Sequence, residues 1–220
     1  MVLHRTRKAR ARRLNHHDAP VLVGPAQPLV LDRHGWLKPH PAVLRAPSPN
    51  ADTRPSAQDI CLLVLHNISL PPGEFGGPHI IDLFLNQLDF GAHPWLPRLK
   101  GLRVSAHFLI RRSGQIVQFV STYDRAWHAG VSCFEGRERC NDFSIGIELE
   151  GTDYTPYDER QYEALSQLSD TLRSRHPLRA VQGHEHIAPE RKTDPGPSFD
   201  WDRFAREANW PRRQLPPNCR

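Results

Sequence analysis

The sequence predicts an α/β protein of the α+β type, a single domain in which helices flank a central mixed β-sheet. Three observations predict this fold class. An apolar run over residues 61–66 has the length and composition of a strand buried on both faces. Residues 143–151 alternate apolar and polar side chains, as a half-buried strand does. Two further segments carry apolar residues at helical spacing, and this mixture of elements favours a sheet covered by helices.

The first part of the chain is predicted to contain an extended wrap, a strand and a helix. Residues 29–59 contain a short apolar segment and a proline-rich stretch, which we expect to wrap over the surface of the domain. His66 closes the apolar strand, at the end where ligands gather in sheets with parallel strands. Pro78 then opens a helix. Its apolar positions, at i, i+3, i+4 and i+7, are Ile81, Phe84, Leu85 and Leu88.

The middle of the chain is predicted to form a hairpin, a long loop and a second strand. Residues 105–110 and 115–120 flank a turn and predict a β-hairpin. Residues 122–143 are too polar for core and too long for a plain turn, and such loops tend to carry function. The next strand has an apolar face and a polar face, and Gly146 on the polar face leaves room for another group to approach the sheet. The polar face comprises Ser144, Gly146, Glu148 and Glu150.

The last part is predicted to form a helix, a strand, a loop and a final helix. Thr155 supplies a hydroxyl N-cap and Pro156 the first position of a helix that stops before Pro177. A short strand near residues 180–182 leads into a polar loop. Residues 202–209 form the final helix.

Composition divides the chain into three parts. We expect a flexible basic arm over residues 1–28, a folded domain over residues 29–210 and a tail over residues 211–220. The net charge of +5 comes from the arm, because residues 1–17 hold six Lys or Arg and no acid. The domain is nearly neutral, so no nucleic-acid partner is expected for it.

Cysteine usage and hydropathy predict the compartment. The chain has four Cys and no CxxC pair, which favours free thiols in a reducing compartment. No apolar run approaches the roughly 20 residues that span a bilayer, and no apolar signal segment follows the basic N-terminus. We therefore expect a cytoplasmic protein with no membrane partner. We also expect it to be a monomer.

A cluster of polar residues near the C-terminus suggests a metal site. Residues 184–194 hold two His, two Glu, a Lys and an Asp between prolines, which predicts a loop rather than a regular helix. Imidazole and carboxylate are good zinc ligands, and a catalytic zinc needs three protein ligands and an open position. His184 and Asp194 are the candidates here, and the third ligand must come from elsewhere. The alternative is that these groups are solvated or cap the backbone.

Five blocks of sequence stand out, in this order: LHNISLPPGEFGGP, LRVSAHFLIRRSGQIVQFV, RAWHAGVS, GRERCNDFSIGIELEGTD and GHEHIAPERKTDPGPSFDW. Together they resemble the zinc N-acetylmuramyl-L-alanine amidases, and several ordered blocks are far more specific than one short motif. Over roughly residues 30–205 the chain is most similar to the cytosolic AmpD-type enzymes, which cleave 1,6-anhydro-N-acetylmuramyl peptides during cell-wall recycling. The arm lies outside the resemblance.

The resemblance implies a reaction and a set of site residues. His66, His184 and Asp194 fall where the family places its three zinc ligands, which implies one Zn²⁺ per chain. Glu148 and Lys192 fall where it places its catalytic partners. The implied reaction is hydrolysis of the amide between (1,6-anhydro-)N-acetylmuramic acid and L-alanine. The implied substrate is a small soluble anhydro-muropeptide.

Several choices stay open on pattern alone. Glu150 shares a strand face with Glu148, and only the resemblance selects Glu148. Lys192 is either catalytic or a solvated loop charge. His186 and His128 are rival ligands, although His186 would point elsewhere in an extended segment and His128 is expected to line the substrate groove.

Other residues are candidates for substrate binding. Guanidinium groups suit the carboxylates of a stem peptide, and Arg103 and Arg139 match family positions associated with the peptide. A solvated charge is the alternative for each. Trp127 offers a flat face to a sugar ring, and Asn67 lies beside a ligand.

Two alternative functions remain. A non-catalytic muropeptide-binding module would be expected to lose a ligand or the glutamate, and this chain keeps all of them. An amidase that acts on intact cell wall would need export, for which the sequence shows no signal.

Overall fold

The computed structural model describes residues 27–217. The predicted arm over residues 1–28 therefore lies almost entirely outside the described residues, as does the end of the predicted tail. The strands are β1 Val43–Arg45, β2 Ala51–Thr53, β3 Leu62–Ile68, β4 Phe108–Ile110, β5 Ile116–Gln118, β6 Asp124–Ala126, β7 Cys133–Phe134, β8 Arg137–Glu138, β9 Ser144–Glu150 and β10 Ala180–Gly183. The α-helices are α1 His79–Phe84, α2 Glu159–Arg175, α3 His184–Ile187 and α4 Trp201–Glu207. Short 3₁₀ helices span Leu96–Leu99, Cys140–Asp142 and Arg212–Gln214.

A six-stranded mixed sheet in the order β1-β5-β4-β9-β3-β10 forms the centre of the molecule. Strands β4, β9, β3 and β10 run parallel to one another, whereas β5 is antiparallel to β4 and parallel to β1. Strands β2 and β6 form an antiparallel pair outside this sheet, as do β7 and β8. The predicted fold class, a single domain with a mixed sheet flanked by helices, is confirmed.

The two faces of the sheet have different roles. Leu63 and Leu65 of β3 pack with the apolar side chains of α2 and α4 on one face. Leu62 and Val64 point to the opposite face, and all four side chains are fully buried, as the apolar run predicts. Because side chains alternate along a strand, His66 lies on the face away from α2 and α4. The site therefore lies on the sheet face opposite α2 and α4.

Helix α2 begins later than predicted. Its N-cap is Asp158, whose side chain accepts the N–H of Arg160 in a capping box completed by Gln161. The N–H of Thr155 instead donates to Thr152 at 3.1 Å, which keeps Thr155 in the turn before the helix. The predicted C-terminus is correct, since the helix ends at Arg175.

Helix α1 is shorter than predicted. It ends at Phe84, and Asn86 adopts a left-handed φ of 59° that no helix can continue through. Leu88 is still buried in the apolar cluster around Phe84, as predicted, but it reaches that cluster from a loop.

The proline-rich wrap contains two strands that the sequence did not predict. Val43 of β1 pairs with Ile116 at the sheet edge, and Ala51 of β2 pairs with Ala126. Each strand has only three residues. Hairpin β4–β5, strand β10 and helix α4 occur where they were predicted.

Cysteines and hydropathy give two further results for the described chain. Cys61, Cys133 and Cys140 are free thiols, as expected; Cys219 lies outside the described residues. None of the helices within residues 27–217 has both the length and the apolar character that crossing a membrane requires.

Leu215, after the last α-helix, is buried in the core beside α2 and α4.

Candidate metal centre and active site

Three predicted ligands meet at the carboxyl end of the parallel strands. His66 lies near the end of β3, and His184 follows directly on the neighbouring strand β10. Asp194 comes from the segment after α3, and its carbonyl accepts the N–H of Glu185 at 2.9 Å. The three ligand atoms lie close together: His66 Nδ1 is 2.9 Å from His184 Nδ1, and Asp194 Oδ2 is 3.0 Å from the first and 3.1 Å from the second.

The hydrogen bonds behind the rings assign their tautomers. His184 Nε2 is 3.1 Å from the carbonyl oxygen of Ala129, which can only accept, so Nε2 is the donor and a lone pair in the neutral tautomer lies on Nδ1. The His66 ring is neutral, because burial lowers its pKa to about 4. Lone pairs on imidazole and carboxylate that converge on one point suit a cation, and this donor set is one that zinc accepts. The residues present therefore fit a metal ion.

Residues 184–187 form the short helix α3 rather than the predicted loop. His186 lies in the first turn, where its Nδ1 accepts the N–H of Gly183 at 3.1 Å and its ring packs against Trp201. His186 thus caps the helix and does not join the three ligands. A Cβ on Gly183 would lie 2.7 Å from Pro195, so glycine allows the segment carrying Asp194 to close over the strand end.

Glu148 is held beside the ligands by strand register. It pairs with His66 across the parallel strands β9 and β3, which places both side chains on the same face. Its Oε2 is buried and has no hydrogen-bond partner. Burial raises the pKa of Glu148 well above its ordinary value, the charge of Asp194 adds to this and that of Lys192 opposes it. A buried carboxyl with a free oxygen is suited to proton transfer.

Glu150 has a different environment, although it shares the strand face. Its Oε1 accepts the N–H of Gly76 at 2.7 Å and its Oε2 accepts the N–H of Arg112 at 3.1 Å. It also lies 3.8 Å from the guanidinium of Arg111. Each oxygen accepts a backbone N–H group from a different loop and fixes that loop in place, so Glu150 has a structural role.

Lys192 is exposed on the segment that leads to Asp194. Its backbone N–H donates to the carbonyl of Ala188 at 3.1 Å, which fixes the segment to the end of α3. Its positive charge lowers the pKa of both Glu148 and His66, so the ammonium group lies within electrostatic reach of the site.

Two of the predicted substrate residues adjoin this centre in sequence: Asn67 follows His66, and Trp127 precedes His128, which contacts His66. Asn67 donates to Asp153 Oδ1 at 2.7 Å and to the carbonyl of Pro195 at 3.1 Å. Trp127 is half-buried, and its backbone N–H donates to Ser105 Oγ at 3.1 Å. Arg103 is exposed on the loop before β4.

Arg139 lines a cavity of about 530 Å³ together with Arg191. It adopts a left-handed φ of 61° and lies 3.3 Å from Asp142, which also binds Arg125. Arg191 was not predicted from the sequence; its guanidinium donates to the carbonyls of Ala129 and Val131 at 2.8 and 2.6 Å. No sequence signal identifies backbone carbonyls as its partners.

His128 is not one of the ligands that converge on the centre. Its Nδ1 is 2.9 Å from His66 Nε2 and its Nε2 is 3.2 Å from Ser144 Oγ, so both ring nitrogens are bonded to protein groups. The ring lies against Gly146, where a Cβ would come within 2.5 Å of it. The group that Gly146 was predicted to admit is therefore the His128 ring.

The fold and the site define a class of protein: an α/β domain with a candidate hydrolytic metal centre at the carboxyl ends of its parallel strands. Comparison with known proteins makes this specific. The family model for N-acetylmuramoyl-L-alanine amidase matches residues 56–197. The chain is 58% identical over 178 residues to the 1,6-anhydro-N-acetylmuramyl-L-alanine amidase AmpD of Citrobacter freundii, covering 80% of this chain and 93% of that one.

Solved structures agree. A crystal structure of a selenomethionine derivative of AmpD is 56% identical with a TM-score of 0.77, covering 81% of this chain and 98% of that one. The amidase AmiD of E. coli, in complex with anhydro-N-acetylmuramic acid-L-Ala-D-gamma-Glu-L-Lys, is 27% identical with a TM-score of 0.51, covering 81% and 65%. The chain belongs to the N-acetylmuramoyl-L-alanine amidase family, and within it to the AmpD type.

Proposed function

We propose that this protein is a zinc-dependent amidase of peptidoglycan recycling, which hydrolyses the bond between 1,6-anhydro-N-acetylmuramic acid and L-alanine in soluble muropeptides. One observation carries the proposal: three convergent ligand atoms within 3.1 Å of one another lie beside a buried carboxyl that has one unpartnered oxygen. The names of the AmpD relatives supply the substrate.

His66, His184 and Asp194 would hold one Zn²⁺ per chain. When bound, zinc lowers the pKa of a coordinated water and polarises the carbonyl of the scissile amide. Two histidines and one carboxylate leave a coordination position open, as a hydrolytic site requires.

Glu148 acts as general base and then as general acid. It accepts a proton from the attacking water as the water oxygen bonds to the carbonyl carbon, and it delivers that proton to the nitrogen of L-alanine as the carbon–nitrogen bond breaks. The products are the free lactyl carboxyl group and the free amine of the peptide. A raised pKa favours this exchange, because the carboxyl can hold the proton between the two steps.

Lys192 stabilises the oxygen of the tetrahedral intermediate. Negative charge develops on the former carbonyl oxygen, and a fixed ammonium group within electrostatic reach lowers the energy of that state. Its backbone contact with Ala188 supports this role, since it holds the segment in place.

Substrate recognition is assigned to the groups around the centre. Arg139 and Arg103 pair with carboxylates of the stem peptide, and the cavity beside Arg139 gives the peptide a place to lie. Trp127 faces the sugar and Asn67 orients the amide. A substrate contact by His128 stays a prediction, and its hydrogen bonds to His66 and Ser144 support a different role. Because the substrate is a soluble recycling intermediate, we place the protein in the cytoplasm; that it acts as a monomer stays a prediction.

A paired assay tests the proposal. Purified protein is analysed for metal, and peptide release is measured from anhydro-muropeptide and from intact peptidoglycan, before and after chelation. We expect about one zinc per chain and chelator-sensitive cleavage of the soluble substrate. Cleavage of intact wall alone would instead favour a wall-degrading amidase. Zinc binding without cleavage of either substrate would favour a binding module and remove the roles given to Glu148 and Lys192.

A further inference from the structure

We infer that His128 is a positioning residue for the metal centre: it orients the His66 ring and holds it in the tautomer that presents Nδ1 to the metal. The inference rests on the zinc site of the proposed function and concerns how that site is maintained. It gives His128 a role other than contact with substrate.

A series of hydrogen bonds links Cys140, Ser144, His128 and His66, and the direction of each bond can be assigned by starting from the Cys140 carbonyl. Ser144 Oγ donates to the carbonyl oxygen of Cys140 at 2.6 Å, and a carbonyl can only accept. The hydroxyl oxygen is then left as the acceptor for His128 Nε2 at 3.2 Å, so Nε2 carries the proton of a neutral ring. His128 Nδ1 therefore has a lone pair, and it accepts the Nε2–H of His66 at 2.9 Å. His66 Nδ1 is left without a proton, facing Asp194 and His184.

The ring of His128 is held in place on both sides. It crosses the His66 ring edge to face, with the ring centres 5.1 Å apart, and it lies against Gly146 of the sheet. Its backbone is fixed by Asn141, whose Oδ1 accepts the N–H groups of His128 at 3.2 Å and of Ala129 at 2.8 Å. The same short loop thus supplies the acceptors behind both histidine ligands: the His128 ring for His66 and the Ala129 carbonyl for His184. Partners that orient histidine ligands in this way commonly change metal affinity 10- to 100-fold when they are removed.

A pair of variants of similar size separates positioning from packing. His128→Asn keeps an acceptor near the position of Nδ1, whereas His128→Leu fills similar space without one. Zinc affinity is measured by competition with a chromophoric chelator, so no readout depends on turnover. We expect His128→Leu to bind zinc at least roughly 10-fold more weakly than wild type and His128→Asn to recover most of the loss. Equal affinity of the two variants would overturn the inference.

Two controls complete the experiment. His176→Leu removes another buried histidine that contacts Thr122 and no ligand, and it should lower the melting temperature without changing zinc affinity. In zinc-loaded wild type, a long-range ¹H–¹⁵N spectrum should show His66 protonated at Nε2, and a proton at Nδ1 instead would contradict the assignment. If His128→Leu does not fold, His128→Met takes its place. Wild-type protein that binds no zinc would refute the proposed function itself, whereas zinc binding that is indifferent to His128 would refute only this inference.

Discussion

Two glutamates on one strand face show how partners decide the role of a residue. Glu148 and Glu150 are two residues apart, and both are buried. The oxygens of Glu150 are taken up by two backbone N–H groups, whereas Glu148 keeps an oxygen without a partner. Spacing cannot distinguish them, because the partners come from loops distant in sequence. The contacts support the choice that the resemblance implied.

Replacing the proposed acid–base group should remove turnover and keep the metal. Glu148→Gln is nearly isosteric, and general acid–base catalysis contributes roughly 10²–10⁴-fold, so we expect kcat to fall by that factor with zinc content unchanged. Steady-state kinetics and elemental analysis check this. Glu150→Gln is the matched control and should lose stability rather than chemistry. Near-normal turnover by metal-loaded Glu148→Gln would contradict the assignment.

The proposed role of Lys192 predicts an effect on kcat. Removal of one group that stabilises an oxyanion typically costs roughly 10²–10³ in kcat, so we expect a loss of that size in Lys192→Ala with a smaller change in KM. Lys100→Ala, a change of an exposed lysine outside the site, is the control. A Lys192→Ala variant as active as the control would show that this lysine is only a solvated charge.

At the scale of the elements, local hydrogen bonds decide where a helix begins. Thr155 followed by Pro156 is a good helix start by residue type, yet α2 begins at Glu159, because Asp158 and Gln161 form a reciprocal capping box. The same applies to α3, where His186 serves as a cap in a stretch that its prolines predicted to be loop. Sequence patterns locate such elements, but competing caps are resolved only by the geometry of the chain.

The capping assignment is testable by stability. Asp158→Ala removes the side-chain acceptor of α2 and should lower the free energy of unfolding by about 1 kcal/mol. Thr155→Ala should change it by less than about 0.5 kcal/mol, since Thr155 is not the N-cap. Urea unfolding of both variants gives the comparison. A larger loss in the Thr155 variant would reverse the assignment.

At the scale of the whole molecule, the central sheet was predictable and its edges were not. The runs that became β3 and β9 are long and strongly patterned, because their side chains are buried in the core. Strand β1 has three residues in a proline-rich stretch, and its pairing with β5 at the sheet edge leaves no pattern in the sequence. The polar cluster near the C-terminus indicated His184 and Asp194 as candidate ligands, whereas the third, His66, came through the resemblance. The contacts of His128 and Arg191 could not be foreseen, because their partners include backbone carbonyls and residues brought near only by folding.

Buried neutral histidines should make the metal-free protein sensitive to acid. Burial, with the charge of Arg54 adding to it, lowers the pKa of His176 to about 4, and burial lowers that of His66 to about 4 and that of His107 well below its ordinary value. An unfolded histidine takes up a proton near pH 6.5, so the stability they confer is complete above about pH 6.5 and is lost as pH falls toward 4. Each of these histidines makes the free energy of unfolding fall by up to about 1.4 kcal/mol for each pH unit in this range.

Urea midpoints of chelator-treated protein at pH 7, 6 and 5 measure this slope. His176→Gln should be less stable at pH 7 and should show a shallower dependence on pH than wild type. A slope unchanged in that variant would mean that His176 does not remain neutral in the folded state.

The position of the ligands along the chain has a mechanical consequence. His66 and His184 are 118 residues apart in sequence, and His66 and Asp194 are 128 apart. An ion held by all three would cross-link the centre of the sheet to β10, its edge strand, much as a disulfide closes a long loop. Binding of the ion would then hold the C-terminal part of the fold against the central sheet, and loss of the ion would remove this link. Amide hydrogen exchange should detect this as faster opening of β10 than of β9 when the ion is withdrawn.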